Sequence, residues 1–99
     1  MLYIVNKSPS QTRTLDSCLR LTQDGQALLL IEDAVYAATT RSPAAPAMRD
    51  AIRRLKVYAL RPDLEARGMH EATLDGVTLV DYGGFVDLVA DHASTQSWL

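Results

Sequence analysis

The chain has few of the residues that mark redox, metal-binding or exported proteins. It contains one cysteine and two histidines among 99 residues, which excludes an internal disulfide, a CxxC redox pair and a cysteine-rich zinc site. Its longest apolar run, Ala27 to Ile31, is far too short to cross a bilayer. The N-terminus shows neither a basic region nor a cleavage site, so we expect a cytoplasmic protein that is not bound to membranes.

The chain also has almost no excess of one charge sign over the other. Ten Lys and Arg residues oppose twelve Asp and Glu residues, giving a net charge of −2, so no direct binding to nucleic acid is expected. One short stretch is basic and comprises Arg49, Arg53, Arg54 and Lys56. It has no interleaved aromatic residues on which bases could stack, so we interpret it as a solvated helix face. With 47% hydrophobic and 22% charged residues, the composition predicts one packed domain over residues 1–99.

Four short apolar runs predict strands. They span residues 2–5, 27–31, 57–60 and 77–80, and none alternates with polar residues, which is typical of strands buried on both faces. Segments with helical spacing lie between them. This order predicts an α/β fold, a small three-layer α/β/α sandwich with a mostly parallel sheet. Ligands of such sheets bind beyond the carboxyl ends of the strands.

Acidic residues follow two of the predicted strands. Glu32 and Asp33 follow the second strand and Asp81 follows the fourth. Carboxylates there could bind a cation or transfer protons, but capping of the next helix is the commoner role and the one we favour. The Gly83-Gly84 pair lacks the spacing of a dinucleotide fingerprint. We therefore expect no cofactor, and no metal site either, because neither histidine has partners at ligand spacing.

Cys18 is the only strong nucleophile in the chain. A thiolate near a helix N-terminus could accept sulfur as a persulfide and pass it on. Cys18 also lies near the middle of the apolar face of a predicted helix, and free cysteines are among the residues most often buried. The residues alone favour packing over chemistry.

The C-terminal tail ends in two large apolar residues. Trp98 and Leu99 are costly to leave in water, so we expect them to dock on the domain or on another subunit. Tyr82, beside the glycine pair, is a third candidate for a subunit interface, because aromatic residues are favoured anchors there.

Eight segments along the chain form a pattern when they are taken together. They are Asn6-Lys7-Ser8-Pro9, Ser17-Cys18-Leu19, Leu28–Asp33, Lys56–Leu60, Asp63–Gly68, Val80-Asp81-Tyr82, Phe85–Leu88 and Trp98-Leu99. No single motif is specific, but their order and spacing extend over nearly the whole chain. In this pattern the chain resembles the TusB/DsrH family of small sulfur-relay subunits.

The resemblance implies a DsrE/DsrF-like fold and assembly with two homologous sister subunits, of the TusC/TusD or DsrF/DsrE type, into a heterohexamer. Such complexes pass persulfide sulfur to a downstream carrier protein, for 2-thiolation of the tRNA wobble uridine or for dissimilatory sulfur oxidation. The principal persulfide cysteine belongs to a sister subunit, so this chain is expected to be non-catalytic or auxiliary. Cys18 matches a cysteine position of many DsrH-type chains, which leaves two interpretations: a sulfur carrier, or a purely structural subunit that carries no sulfur.

Overall fold

A five-stranded parallel sheet forms the centre of the fold. The computed structural model describes residues 1–10 and 13–98. The strands are β1 (Leu2–Val5), β2 (Ala27–Leu30), β3 (Lys56–Leu60), β4 (Thr78–Val80) and β5 (Thr95–Trp98). The α-helices are α1 (Thr14–Leu21), α2 (Ala45–Arg54), α3 (Arg61–Ala66) and α4 (Tyr82–Asp91), and two 3-10 helices span Glu32–Ala38 and His70–Ala72.

The strand order is β4-β3-β2-β1-β5, and every pairing is parallel. The first four strands are added in one direction, and the chain then returns to place β5 on the free side of β1. The order therefore reverses between β1 and β5, and in open α/β sheets such a reversal creates a crevice beyond the carboxyl ends of the two strands.

Helices cover both faces of the sheet, so the predicted three-layer sandwich is confirmed. On one face, side chains such as Val5 and Leu28 pack against α1, α2, α3 and the first 3-10 helix and form the larger core cluster. On the other face, Leu2 and Leu29 form a smaller cluster, which α4 covers through Phe85 and Leu88. Because the central strands are buried on both faces of the sheet, their sequences are continuously apolar.

The sequence predicts four strands, and the structure contains a fifth. Strand β5 has the sequence Thr95-Gln96-Ser97-Trp98, and its first three residues are exposed. It lies at the edge of the sheet and pairs with β1 from Leu2↔Thr95 to Val5↔Trp98. Side chains that stay in contact with water need not be apolar, so hydrophobicity could not reveal this strand.

Arg54 joins α2 to the carboxyl end of α1. Its guanidinium donates to the carbonyl oxygens of Leu19 (3.0 Å) and Thr22 (3.2 Å) and to the Thr22 hydroxyl (2.8 Å). The last carbonyls of a helix have no partner within the helix, and a cation there also opposes the negative end of the helix dipole. The prediction of a wholly solvated basic face is therefore wrong for Arg54, whose side chain is only one-third exposed.

Replacing Arg54 with alanine is expected to lower the free energy of unfolding by about 2 kcal/mol, because hydrogen bonds from a charged donor are lost together. The neighbouring Arg53 provides a matched control. Among the described residues it pairs only with Asp50, at 2.9 Å, and both side chains are about three-quarters exposed. Arg53→Ala should therefore lower the free energy of unfolding by less than about 0.5 kcal/mol. Urea unfolding of both variants measures the difference, and equal losses would contradict the capping role.

Candidate functional site

Cys18 lies on the inner side of α1 and is fully buried in the larger core cluster. Burial in these apolar surroundings raises the pKa of the thiol from 9.0 to about 11, because removing water disfavours the thiolate. At neutral pH the group is therefore an uncharged thiol packed beside residues such as Leu15. This environment favours the packing interpretation over the sulfur-carrier interpretation for the isolated chain.

Polar side chains from three successive strand ends meet at the carboxyl edge of the sheet. Asn6 follows β1, Glu32 follows β2 and Asp63 lies in α3, directly after β3. The Asn6 amide nitrogen donates to Glu32 Oε2 at 3.3 Å, and the Glu32 backbone N–H donates to Asp63 Oδ2 at 2.6 Å. The parallel sheet produces this meeting, because it places the ends of β1, β2 and β3 side by side.

Arg67 completes this network from the end of α3. Its Nε and Nη2 atoms donate to Asp33 Oδ1 at 3.1 and 2.9 Å, and its Nη1 donates to the Asp63 carbonyl at 3.0 Å. Arg67 thereby ties α3 to the first 3-10 helix. The predicted helix-capping role of Glu32 and Asp33 is wrong, because both lie within the first turn of that helix and its cap position is Ile31. The first N–H of the helix, that of Glu32, is bound by the Asp63 carboxylate. Asp81 does cap α4, accepting from the Gly84 N–H at 2.7 Å.

The backbone is strained at one point of the network. Glu32 has a φ of +51°, a conformation that costs a non-glycine residue energy and persists only where its surroundings hold it. The hydrogen bonds to Asn6 and Asp63 supply that restraint. Nearby, the buried Oδ1 of Asn6 has no hydrogen-bond partner among residues 1–10 and 13–98, and the same is true of Nε1 of Trp98 at the end of β5. Both atoms lie where the strand order reverses.

A cavity of about 440 Å³ opens next to this network. Its wall is mixed, with hydroxyl groups, the Asp33 carboxylate, the Arg41 guanidinium and the Met69 thioether. These groups could hold a polar peptide or a small polar molecule, but none is a nucleophile activated by a base. Among the residues that the structure describes, no cluster of three or more His, Cys, Asp and Glu side chains could bind a metal ion. Within the same ranges, no helix is long and apolar enough to cross a bilayer.

The three residues predicted to lie at a subunit interface differ in their surroundings. Tyr82 begins α4 and is 62% exposed. Trp98 ends β5 and packs, partly buried, against the larger core cluster, so it docks on its own domain. Leu99 lies outside the described residues.

Comparison with known proteins decides the family. The family model described as "DsrH like protein" matches residues 7–95. The chain belongs to the DsrH family. The curated "Protein TusB" of Pectobacterium parmentieri is 40% identical to it over 103 residues, covering 99% of this chain and all of the relative. The "Protein TusB" of Escherichia coli strain K12 is 38% identical over 98 residues, with the same coverage.

Solved structures confirm the fold of this DsrH-family chain. The ychN protein from E. coli superposes with a TM-score of 0.76 at 20% identity, over 97% of both chains. A protein of unknown function from Methanobacterium thermoautotrophicum gives 0.75 at 18% identity, over 97% of this chain and 95% of the other.

Three members of the edge network, Asn6, Asp63 and Arg67, were not among the candidate site residues predicted from the sequence. Asn6 was visible as a polar residue at a strand end, but its contact with Glu32 spans 26 residues. Arg67 is 34 residues from Asp33, and only its position four residues after Asp63 in a short helix hinted at a contact. In this DsrH-family protein, folding alone brings these side chains together.

Proposed function

We propose that the chain is a subunit of a cytoplasmic sulfur-relay complex, in which it assembles with two homologous sister subunits as a heterohexamer. The family and the full-length likeness to proteins named TusB support this proposal. The TusB names favour the branch that delivers sulfur to the tRNA wobble uridine over the branch of dissimilatory sulfur oxidation. A downstream carrier protein would take the sulfur from the assembled complex.

Burial of Cys18 is the observation that favours the structural alternative within this proposal. The thiol is fully buried and its pKa is raised to about 11, whereas a persulfide carrier needs an accessible thiolate. The chain would then complete the assembly and its surfaces while a sister cysteine carries the sulfur.

The assembly is tested by co-expressing the chain with TusC-type and TusD-type subunits from the same organism. Light scattering after size exclusion should give the mass of about six chains, since closed symmetric assemblies are the common form of soluble oligomers. Treatment with a persulfide donor should add about 32 Da to a sister subunit and leave Cys18 unmodified, since one sulfur atom adds to a reactive thiolate. Sulfur on Cys18 would restore the carrier interpretation.

The pathway is tested in the organism itself. Deleting the gene should remove 2-thiouridine from digests of tRNA analysed by mass spectrometry, and the wild-type chain should restore it. The Cys18→Ala variant should restore it as well if the chain carries no sulfur. Normal thiolation in the deletion strain would exclude the tRNA branch.

A further inference from the structure

We infer that the cavity beside the edge network binds a small zwitterion, a molecule such as a free amino acid or a dipeptide that carries one ammonium and one carboxylate group. The inference goes beyond the proposed function and does not depend on it, because it starts from the cavity wall of the single chain. The volume of about 440 Å³ lies toward the lower end of the range of roughly 300–1,000 Å³ for small-molecule sites. The edge beyond the carboxyl ends of parallel strands is also where ligands of α/β sheets bind.

Arg41 supplies the positive charge of the cavity wall. Its Nη1 atom lies 3.8 Å from the Met69 sulfur, and a thioether is only a weak acceptor. No carboxylate in the described part of the chain pairs with Arg41. The next residue, Ser42, also lines the cavity, and its hydroxyl oxygen accepts from the Ala44 N–H at 3.0 Å, which leaves the hydroxyl hydrogen free to donate. A guanidinium and a hydroxyl with unused donors suit a carboxylate.

The loop that carries Arg41 is held in place just before that residue. The Thr40 N–H donates to the Ala72 carbonyl at 2.9 Å, and the Leu74 N–H donates to the Ala38 carbonyl at 2.7 Å. These two bonds tie the end of the first 3-10 helix to the end of the second. A site whose backbone is already fixed loses less conformational entropy when a ligand binds.

Asp33 supplies the negative charge of the wall. Its Oδ1 accepts both bonds from Arg67, at 3.1 and 2.9 Å, whereas the residues of known placement supply no donor to its Oδ2. Asp33 lies in the first turn of the first 3-10 helix, and Arg41 follows the end of that helix. The two charges therefore reach the cavity from opposite ends of one helix, and the open carboxylate oxygen suits an ammonium group.

The charges around the cavity disfavour a ligand with charge of one sign only. Glu32, Asp33 and Asp63 place three carboxylates at this edge of the sheet. The guanidinium bonded among them is that of Arg67. A phosphate group would therefore meet like charge, whereas a simple amine would leave Arg41 without a partner. A zwitterion satisfies both walls, with its ammonium group beside Asp33 and its carboxylate beside Arg41.

Part of the cavity wall is apolar. It includes the rings of Pro9 and Pro43 and the thioether of Met69. Transfer of an aliphatic group from water onto such a surface is favourable. The expected ligand therefore carries an apolar side chain as well as its two charges, and L-leucine and glycyl-L-leucine are suitable probes.

Titration of the folded chain with each probe, followed by amide NMR spectra, tests the inference. At least one probe should bind with a Kd below about 1 mM, and the saturating shifts should centre on the amides of Ser8, Ser10 and Ser42, which line the cavity. The probe that binds more tightly identifies the ligand as an amino acid or as a peptide. Its N-acetylated form lacks the ammonium charge and its C-amidated form lacks the carboxylate charge. Each should bind more weakly by about fivefold or more, because a charge-assisted contact is lost.

A pair of arginine variants tests the carboxylate end of the site. Arg41→Gln should weaken binding of the tighter probe by about fivefold or more. It should not weaken the C-amidated form further, since that form has no carboxylate to lose, whereas a merely structural role of Arg41 would weaken both. Arg49→Gln is the matched control: Arg49 is exposed on α2, outside the cavity wall, and its loss should change binding less than about twofold.

Three results would overturn the inference and leave the proposed function untouched. The first is the absence of saturable shifts with both probes. The second is equal binding of a probe and its acetylated or amidated form, because the two charges would then not be recognised. The third is an equal loss of binding in Arg41→Gln and Arg49→Gln, because the attraction would then belong to the net charge of the chain.

Discussion

Replacing Trp98 with alanine is expected to lower the free energy of unfolding by about 3 kcal/mol, at the lower end of the range for large aromatic residues because the side chain is only partly buried. The indole packs against the larger core cluster, and its residue pairs with Val5 in the sheet. Truncation would leave a void beneath an edge strand that has no other apolar side chain. Chemical denaturation with a full baseline measures this loss.

Two further variants separate packing from the other roles of the residue. Trp98→Phe keeps an aromatic ring and removes the buried indole N–H, for which the described part of the chain supplies no hydrogen-bond partner. Trp98→Phe should therefore lower the free energy of unfolding less than half as much as Trp98→Ala does, since a buried unpaired donor is itself destabilising by about 1–3 kcal/mol. Tyr82→Ala is the surface control, 62% exposed, and should cost less than about 1 kcal/mol. Equal losses for Trp98→Ala and Tyr82→Ala would contradict the docking of Trp98 on its own domain.

Cys18 in the folded chain is expected to react with iodoacetamide about 100-fold more slowly than in the urea-unfolded chain at pH 8. The raised pKa, about 11 against 9.0, lowers the thiolate fraction by about that factor, and only the thiolate attacks. Burial adds a steric barrier in the same direction. Mass spectrometry of timed aliquots gives both rates, and labelling at similar rates would show an accessible thiol and favour the sulfur-carrier interpretation.

The same pKa difference predicts how stability changes with pH. Below pH 9 the thiol is protonated in both states, so Cys18 makes no pH-dependent contribution there. Between pH 9 and about 11 the unfolded chain loses the proton first, so the free energy of unfolding falls as pH rises. Cys18→Ala should lack this part of the decline. Cys18→Ser should be less stable than Cys18→Ala by about 1–3 kcal/mol, because a hydroxyl without a partner is buried.

Local patterns predicted the parts of this fold that bury continuous apolar runs. The segments from Leu2 and from Ala27 form central strands with neighbours on both sides, so every residue must be apolar and the sequence shows it. The Asp81 cap was predictable for a similar reason, because the interaction spans three residues. Strand β5 was not predictable, since three of its four side chains face water.

The candidate site was harder to predict from the sequence because it depends on contacts between residues that are far apart along the chain. The hydrogen bond between Arg67 and Asp33 follows from the order of strands in space, which no local pattern encodes. For Cys18 the sequence left two interpretations open, since a buried thiol and a reactive one can occupy the same helical position. Burial in the larger core cluster, which involves side chains from several elements, distinguishes them for the isolated chain.

The pairing of β1 with β5 has a consequence for synthesis of the protein on the ribosome. Strand β1, starting at Leu2, lacks one of its two neighbours until the strand ending at Trp98 has been made. Closing a loop of this length carries a higher entropic cost than the local β–α–β steps before it. Nascent chains that lack β5 therefore expose one side of β1, an unpaired edge that can pair with other chains. Synthesis of β5 and protection of β1 become one event.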